Sequence, residues 1–229
     1  MHPSALSNCQ RFFACYGRSL PDHARVVEIG SQDVNGSLRQ VCPDRFDYVG
    51  VDFVAAPGVD VVLDDPYELP FPTGSVDIVV SSSCLEHSEL FWLSYLEMLR
   101  VLAPSGLLYL NVPSNGAFHR YPVDCWRFYP ESGRALVTWA RRNQMDVAML
   151  ESFVTTSPAG NGGWNDFVAV FVRTAAHVEH FPFRITSFFD DFNNGLVHGS
   201  DDFLRPSDLP EDQRRLLAAS QVLSGELAV

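Results

Sequence analysis

Five short runs of Val, Ile and Leu recur along the first half of the chain: "RVVEIG", "DYVGVDF", "VDVVLDD", "VDIVVSSS" and "GLLYLNVP". They are nearly continuous rather than alternating with polar residues. Runs of that kind mark strands covered on both faces, as in a parallel sheet flanked by helices. Between the fourth and fifth runs, Leu90, Leu93, Leu96, Leu99 and Leu102 recur at helical spacing. Ser88 is placed to cap that helix, and Pro104 with Gly106 to end it. "ESGRALVTWARRNQ" predicts a further helix. "DVAMLESFVTT" and "WNDFVAVFVRT" then follow, parted only by the turn-rich "SPAGNGG". With no helix between them, these two strands must pair antiparallel if they pair at all.

The expected fold is therefore α/β: a Rossmann-like, seven-stranded, mostly parallel sheet with an antiparallel finish and helices on both faces. Residues 1–24 read as an N-terminal helical arm, with Phe12, Phe13 and Tyr16 available to dock on the core. Residues 25–174 form the core domain. Residues 175–229 lie outside the strand pattern and are expected to cap the cleft or to join two subunits of a homodimer. They hold the aromatic, acidic "ITSFFDDFNNGLVHGSDDFL" and a capped helix candidate, "PEDQRRLLAASQVLSGEL".

Composition narrows the function classes. The chain has 229 residues and a net charge of −12, with every one of its 16 basic residues an arginine. So acidic a surface disfavours nucleic-acid binding, which needs a basic footprint. The absence of lysine excludes Schiff-base chemistry and a lysine-bearing phosphate loop. No apolar run approaches the roughly 20 residues that cross a bilayer. "MHPSALSNCQRFF" has no basic region leading into an apolar stretch, so the reading is a cytoplasmic protein without a membrane partner. Cys9, Cys15, Cys42, Cys84 and Cys125 form no CxxC pair, and the histidines form no HExxH pattern, so no metal site is expected.

The candidate chemistry starts at "VVEIGSQDVNGSLR". A strand ends in an acid, a Gly-rich turn follows, and a helix is expected to begin. In open α/β sheets, ligands bind at that carboxyl edge. Asp52 ends the second strand 22 positions after Gly30, where a carboxylate accepts hydrogen bonds from ribose hydroxyls. NAD-dependent oxidoreductases and S-adenosylmethionine-dependent methyltransferases share this arrangement. Three features favour the second. The loop is not GxGxxG: Gln32 stands where a pyrophosphate needs a glycine, and Asp33 would repel it. Asp64 and Asp65 end the third strand, within reach of an adenine amine. The antiparallel finish is not the dehydrogenase pattern.

"EIGSQDVNGS", "YVGVD", "VVLDDPYELPF", "VDIVVSSSCLEH" and "EMLRVLAPSGLLYLNVP" resemble, in order and spacing, the class I S-adenosylmethionine-dependent methyltransferase family, over roughly residues 25–173. "GSQDVNGS" and "HRYPVDCWRFYPE" look like a bacterial subgroup found among saccharide and secondary-metabolite genes. The resemblance implies S-adenosyl-L-methionine as cofactor. Glu28 and Gly30 would lie under its methionine portion, with Ser31 and Gln32 lining it through the backbone. Asp52 would hold the ribose and Phe53 would pack on the adenine. Asp64 would meet the adenine amine with Asp65 beside it, and Ser81, Ser82 and Ser83 would face the methionine end.

Methyl transfer from a sulfonium is an in-line displacement that needs the acceptor atom about 3–3.5 Å from the methyl carbon. An oxygen or nitrogen acceptor also loses a proton, and a general base is commonly worth about 10²–10⁴-fold. Segments after the fourth and fifth strands should supply the acceptor side. His119 is the expected base, with Asp124 as partner or substitute and His87 as a further candidate. Arg120 and Arg127 would hold an anionic acceptor, Trp126 would be a stacking wall, and Tyr121 lies among them. Each has a plain structural reading too: His87 as a packing residue, Asp124 as an ion-pair partner of an arginine, Trp126 and Arg127 as fold-stabilising. The expected acceptor is a small molecule, such as a sugar or secondary metabolite, methylated on oxygen. The alternatives are an NAD-dependent oxidoreductase and a non-catalytic cofactor-binding partner protein on the same fold.

Overall fold

Apolar runs become the interior of one sheet. The computed structural model describes residues 3–157 and 163–225. Most of the turn "SPAGNGG" falls outside them, as do Met1, His2 and the last two residues of the C-terminal helix candidate. Strand β1 (Arg25–Ile29) pairs parallel with β2 (Asp47–Asp52) on one side and β4 (Val76–Ser82) on the other. The two-residue β3 (Val61–Val62) extends β2, and β5 (Leu102–Pro113) runs parallel to β4. Three antiparallel strands complete the sheet: β6 (Ala148–Thr155), β7 (Asp166–Val172) and β8 (Phe192–Val197). The order is β3-β2-β1-β4-β5-β7-β6-β8.

The sheet thus has eight strands rather than seven, and the additional one comes from the segment expected to lie outside it. Asn193, Asn194 and Gly195 sit inside β8, and Asn194 takes φ 51°. Such residues are poor strand formers, so no sequence pattern announces this strand. It forms because the free edge of β6 offers it hydrogen bonds, and its polar residues suit an outermost strand.

Successive strand residues alternate between two cores. On one face, Val26, Ile78, Val80, Leu107 and Tyr109 pack beneath α1 (Pro3–Tyr16), which buries Cys9, Phe12, Phe13 and Tyr16. On the other, Val27, Val79, Leu108 and Leu110 pack beneath α2 (Phe91–Val101) and α3 (Ser132–Arg142). Each large apolar side chain so buried is worth about 1.5–3 kcal/mol. The helix expected after β1 does not form. The connection to β2 holds a single 3-10 turn, Leu38–Val41, with Ser37 Oγ accepting from Arg39 N. Leu38 and Phe46 instead meet α1, whose Phe13 ring lies 6.2 Å from that of Phe46. The N-terminal helix therefore covers the face that a β1–β2 crossover helix would cover.

Two boundaries also differ from expectation. Ser88 does not cap α2, which starts at Phe91 with no side-chain cap; its carbonyl accepts from Trp126 Nε1 at 2.9 Å instead. Pro104 and Gly106 do not separate α2 from β5. The strand begins at Leu102, directly after the helix, and carries an irregularity in its pairing with β4 there. A last helix, α4 (Glu211–Leu223), buries none of its residues and is fastened through Glu211, which accepts from Ser157 N and Asn165 Nδ2. Among the described residues no helix is long and apolar enough to cross a membrane.

Candidate cofactor and acceptor site

The chain turns one way from β1 to β2 and β3 and the other way to β4 and β5, so the switch point lies between β1 and β4. At that point Gly30 takes φ 83°, and a Cβ there would stand 2.6 Å from the Cβ of Cys84. Glycine is required on both counts. The N–H groups of Gly30 and Ser31 donate to Val51 O at 3.0 and 3.2 Å, fastening the turn to β2. Asp52 sits where the two strand tips meet. Its Oδ2 accepts from Gln32 N at 3.2 Å, and its Oδ1 from Phe53 N at 2.8 Å and Val54 N at 3.3 Å. Phe53 beside it is half exposed.

Serines stand at the neighbouring tips. Ser31 and Ser82 are buried, and the Oγ of each lacks a hydrogen-bond partner. Ser81 Oγ donates to Ile29 O at 3.0 Å, tying β4 to β1. Ser83 takes φ 49° and donates its N–H to Asn111 O. Glu28 points to the α1 face rather than toward this group. Its Oε2 accepts from Tyr48 Oη at 2.7 Å, and burial pushes its carboxyl up to about 7. Asp64 and Asp65 lie on exposed chain just past β3, where Asp65 Oδ1 accepts from Tyr67 N at 2.8 Å.

The second part of the site joins two connections. One is the 3-10 turn Leu85–His87 after β4; the other runs from β5 to α3. Cys125 N and Trp126 N both donate to Glu86 O, and His87 Nδ1 meets Val123 O. Asp124 is almost fully buried (side chain 2% exposed) and accepts from Arg127 at 2.6 and 2.9 Å and from His119 N at 2.7 Å. Arg127 holds its carboxyl well below the usual carboxylate range. The rings of His87 and His119 stand perpendicular with centroids 4.9 Å apart. Arg120 is exposed and bonds Pro122 O, and Tyr121 is half exposed.

Glu86 was not singled out in sequence. It is 1% exposed, with Oε1 3.7 Å from His87 Nε2 and Oε2 unpartnered. Burial pushes its carboxyl up to about 8, with Asp166 and Asp124 adding to the shift, and burial lowers the His87 imidazole. Its sequence signal is its place in "CLEH", next to His87. A cavity of about 340 Å³ opens alongside, lined by Phe91, Trp92, Trp126, Phe128, Leu136 and Trp139. Trp126 was expected as a wall. Trp92 and Trp139 come from α2 and α3, and only the packing of those helices brings them together.

Residues 16–110 match the family described as a methyltransferase domain. Proteins of Mycobacterium tuberculosis described as uncharacterized methyltransferases are 41% identical over 69 residues. That stretch is 30% of this chain and 27% of theirs, so the chain spans about a quarter of the length of the curated relatives it matches. Among solved structures, the 1,6-didemethyltoxoflavin N1-methyltransferase of Burkholderia thailandensis, with S-adenosylhomocysteine bound, superposes with a TM-score of 0.55 at 16% identity, over 75% of this chain and 79% of that one. The [4+2]-cyclase SpnF superposes with a TM-score of 0.54 at 14% identity, over 74% and 81%. The methyltransferase-domain match runs across the switch point of this sheet, from the end of α1 into β5.

Proposed function

We propose that the chain is an S-adenosylmethionine-dependent methyltransferase that methylates an oxygen of a small molecule. The observation that carries this reading is the Asp52 carboxylate at the tip of β2, bridged to the β1 turn through Gln32 N, with the unpartnered hydroxyls of Ser31 and Ser82 at the ends of the next two strands. A carboxylate with lone pairs to spare beside orphaned donors suits a polar nucleoside. When bound, the cofactor supplies an electrophilic methyl group on a sulfonium. Asp52 accepts from the ribose hydroxyls, and Phe53 covers the adenine, with Asp64 and Asp65 at its amine. Gly30, Ser31, Gln32, Ser82 and Ser83 line the methionine end. Glu28 supports the β1 turn from behind, through Tyr48.

On the acceptor side, Trp126 and its aromatic neighbours hold the apolar body of the acceptor. Asp124 is a poor base because Arg127 holds it ionised; it orients His119 instead. The imidazoles of His119 and His87 are the groups placed to take up the acceptor's proton. Arg127 is bound to Asp124, which leaves Arg120 as the cation available to an anionic acceptor.

The NAD-dependent alternative fares less well. A four-residue 3-10 turn follows β1, so this loop offers a diphosphate no α-helix N-terminus. A second reading is favoured by the likeness to a [4+2]-cyclase: a cofactor-binding protein of this fold need not transfer a methyl group. Calorimetry and turnover separate the readings. Binding of S-adenosylhomocysteine is expected, weakened about tenfold or more in Asp52→Ala as a charged acceptor is lost. No binding at millimolar ligand overturns the proposal. Binding without methylation of any hydroxyl in an acceptor panel favours the second reading.

A further inference from the structure

We infer that Glu86, His87 and His119 form a binding site for one divalent first-row transition-metal ion of the zinc, iron, cobalt or manganese class. Each contributes a ligand-capable atom, and these atoms lie within 4.8 Å of one another. The sequence separates His119 from the other two by more than 30 positions, so no metal-ligand spacing is visible there. The β5–α3 connection folds back onto the Leu85–His87 turn and closes that gap.

The hydrogen bonds around the two rings choose their tautomers. A carbonyl oxygen can only accept. His87 Nδ1 meets Val123 O, and His119 Nδ1 lies 3.1 Å from Ala117 O and 3.4 Å from the carboxylate of Asp124. Nδ1 is therefore the protonated nitrogen of each neutral ring, and Nε2 carries the lone pair. A metal-binding histidine is oriented in just this way, with its other ring N–H held by a carbonyl or carboxylate. Asp124 is itself fixed by Arg127 and the backbone N–H of His119.

The third ligand lacks an adequate partner. Glu86 is buried and its Oε2 is unpartnered, which for a carboxylate is costly. The nearby guanidinium of Arg127 already gives both of its terminal nitrogens to Asp124. A cation held between the Glu86 carboxyl and the two imidazoles would give that buried acid a partner. Zinc–nitrogen and zinc–oxygen bonds are about 2.0–2.2 Å, so the three ligands must draw in around the ion. His119, with a side chain 40% exposed on a connecting loop, has the freedom to do so and leaves a path for entry. Two imidazoles and one carboxylate select transition metals over magnesium or calcium and leave coordination positions open to water or an acceptor oxygen. In use, the ion would acidify a bound hydroxyl, and the two histidines would serve as ligands in place of proton acceptors. That use rests on the methyltransferase reading; the binding itself does not.

The test is a cobalt(II) titration of the full chain after chelation and dialysis, followed by its visible d–d absorption. One saturable equivalent is expected, displaced by zinc. His119→Ala should weaken binding by about tenfold or more, and His87→Ala with His119→Ala should abolish it. Circular dichroism checks that these variants fold. His177→Ala with His180→Ala, altering the exposed histidine pair elsewhere, should leave the spectrum unchanged. No saturable binding, or binding that survives loss of both His87 and His119, overturns the inference. Calorimetry with S-adenosylhomocysteine on the same metal-free protein keeps the two questions apart. Nucleoside binding without a cobalt site sinks only the metal inference, and a cobalt site without nucleoside binding sinks only the methyltransferase reading.

Discussion

The two halves of the site are built by different means. At the tips of β1, β2 and β4 the turns are held by main-chain N–H groups, which donate to carbonyls and to the Asp52 carboxylate, and the side chains that matter lie within a few residues of a strand end. On the acceptor side, the connection after β5 is held by side chains: the Asp124–Arg127 pair, His87, His119 and Trp126. A main-chain scaffold tolerates substitution wherever the backbone conformation permits. A side-chain scaffold fails when one partner is removed. The nucleoside end should therefore be sensitive at its glycine, and the acceptor end at its buried ion pair.

The largest expected effect breaks the acceptor half. Arg127→Ala leaves the Asp124 carboxylate buried with His119 as its remaining partner, through the N–H at 2.7 Å and Nδ1 at 3.4 Å. Removing one member of a buried pair costs about 3–5 kcal/mol. Because the lost hydrogen bonds are confined to residues 117–127, the cost should appear as local opening. Hydrogen exchange is expected to rise in that segment and methyl transfer to collapse. Affinity for S-adenosylhomocysteine should stay within about twofold. Cofactor affinity falling in step with exchange would mean that the two halves are one unit.

That difference in construction also decides what was legible in the sequence. β1, β2, β4 and β5 show as apolar runs because burial on both faces leaves no other composition. The place of Asp52 at the end of β2 is legible from its distance to Gly30, since the turn and the strand between them have nearly fixed lengths. The crossover helix after β1 was expected and is missing, because α1, distant in the fold and early in the chain, already covers that face. β8 was hidden by Asn193, Asn194 and Gly195, whose pairing is imposed by the edge of β6. Glu86 and the cavity walls Trp92 and Trp139 were hidden for a related reason. Their meaning arises when α2, α3 and the β5–α3 connection pack, and adjacency in sequence carries no trace of that.

A smaller effect tests the nucleoside half. Gly30→Ala imposes a left-handed φ on alanine and drives its Cβ into Cys84. Backbone strain of about 1–3 kcal/mol adds to overpacking of similar size. Pairing it with Cys84→Ala removes the thiol and should recover part of the loss, leaving the collision with the Cβ at position 84 and the strain in φ. Denaturant unfolding of the single and double variants measures both. No recovery in the double variant would show that backbone strain, rather than contact with the sulfur, dominates at this turn.

The smallest expected effect depends on pH and asks whether the nucleoside half has a support of its own. Burial raises the Glu28 carboxyl from 4.5 to about 7, against the opposing pull of Tyr48, Arg39 and the Leu38 N–H and with Asp33 adding to the rise. Cys9 and Cys42 also face it, and both thiols are raised by burial. A carboxyl whose folded value is raised binds more protons folded than unfolded, so stability falls as pH rises between the two values. The full penalty, about 2–4 kcal/mol, is present above pH 7 and absent below about 4.5. Glu28→Gln cannot ionise, and its side-chain oxygen can still accept from Tyr48. It is expected to remove the Glu28 share of the slope and to be more stable than the parent chain above pH 7. Asp166, raised to about 6, and Glu86, raised to about 8, keep a slope of their own in both proteins, so the comparison reads the difference between the two profiles. Denaturant midpoints from pH 5 to pH 8 measure the difference. Should the two profiles run parallel, Glu28 is ionised in the folded protein at every pH tested, and the support behind the β1 turn is a charged pair with Arg39 rather than a shared proton with Tyr48.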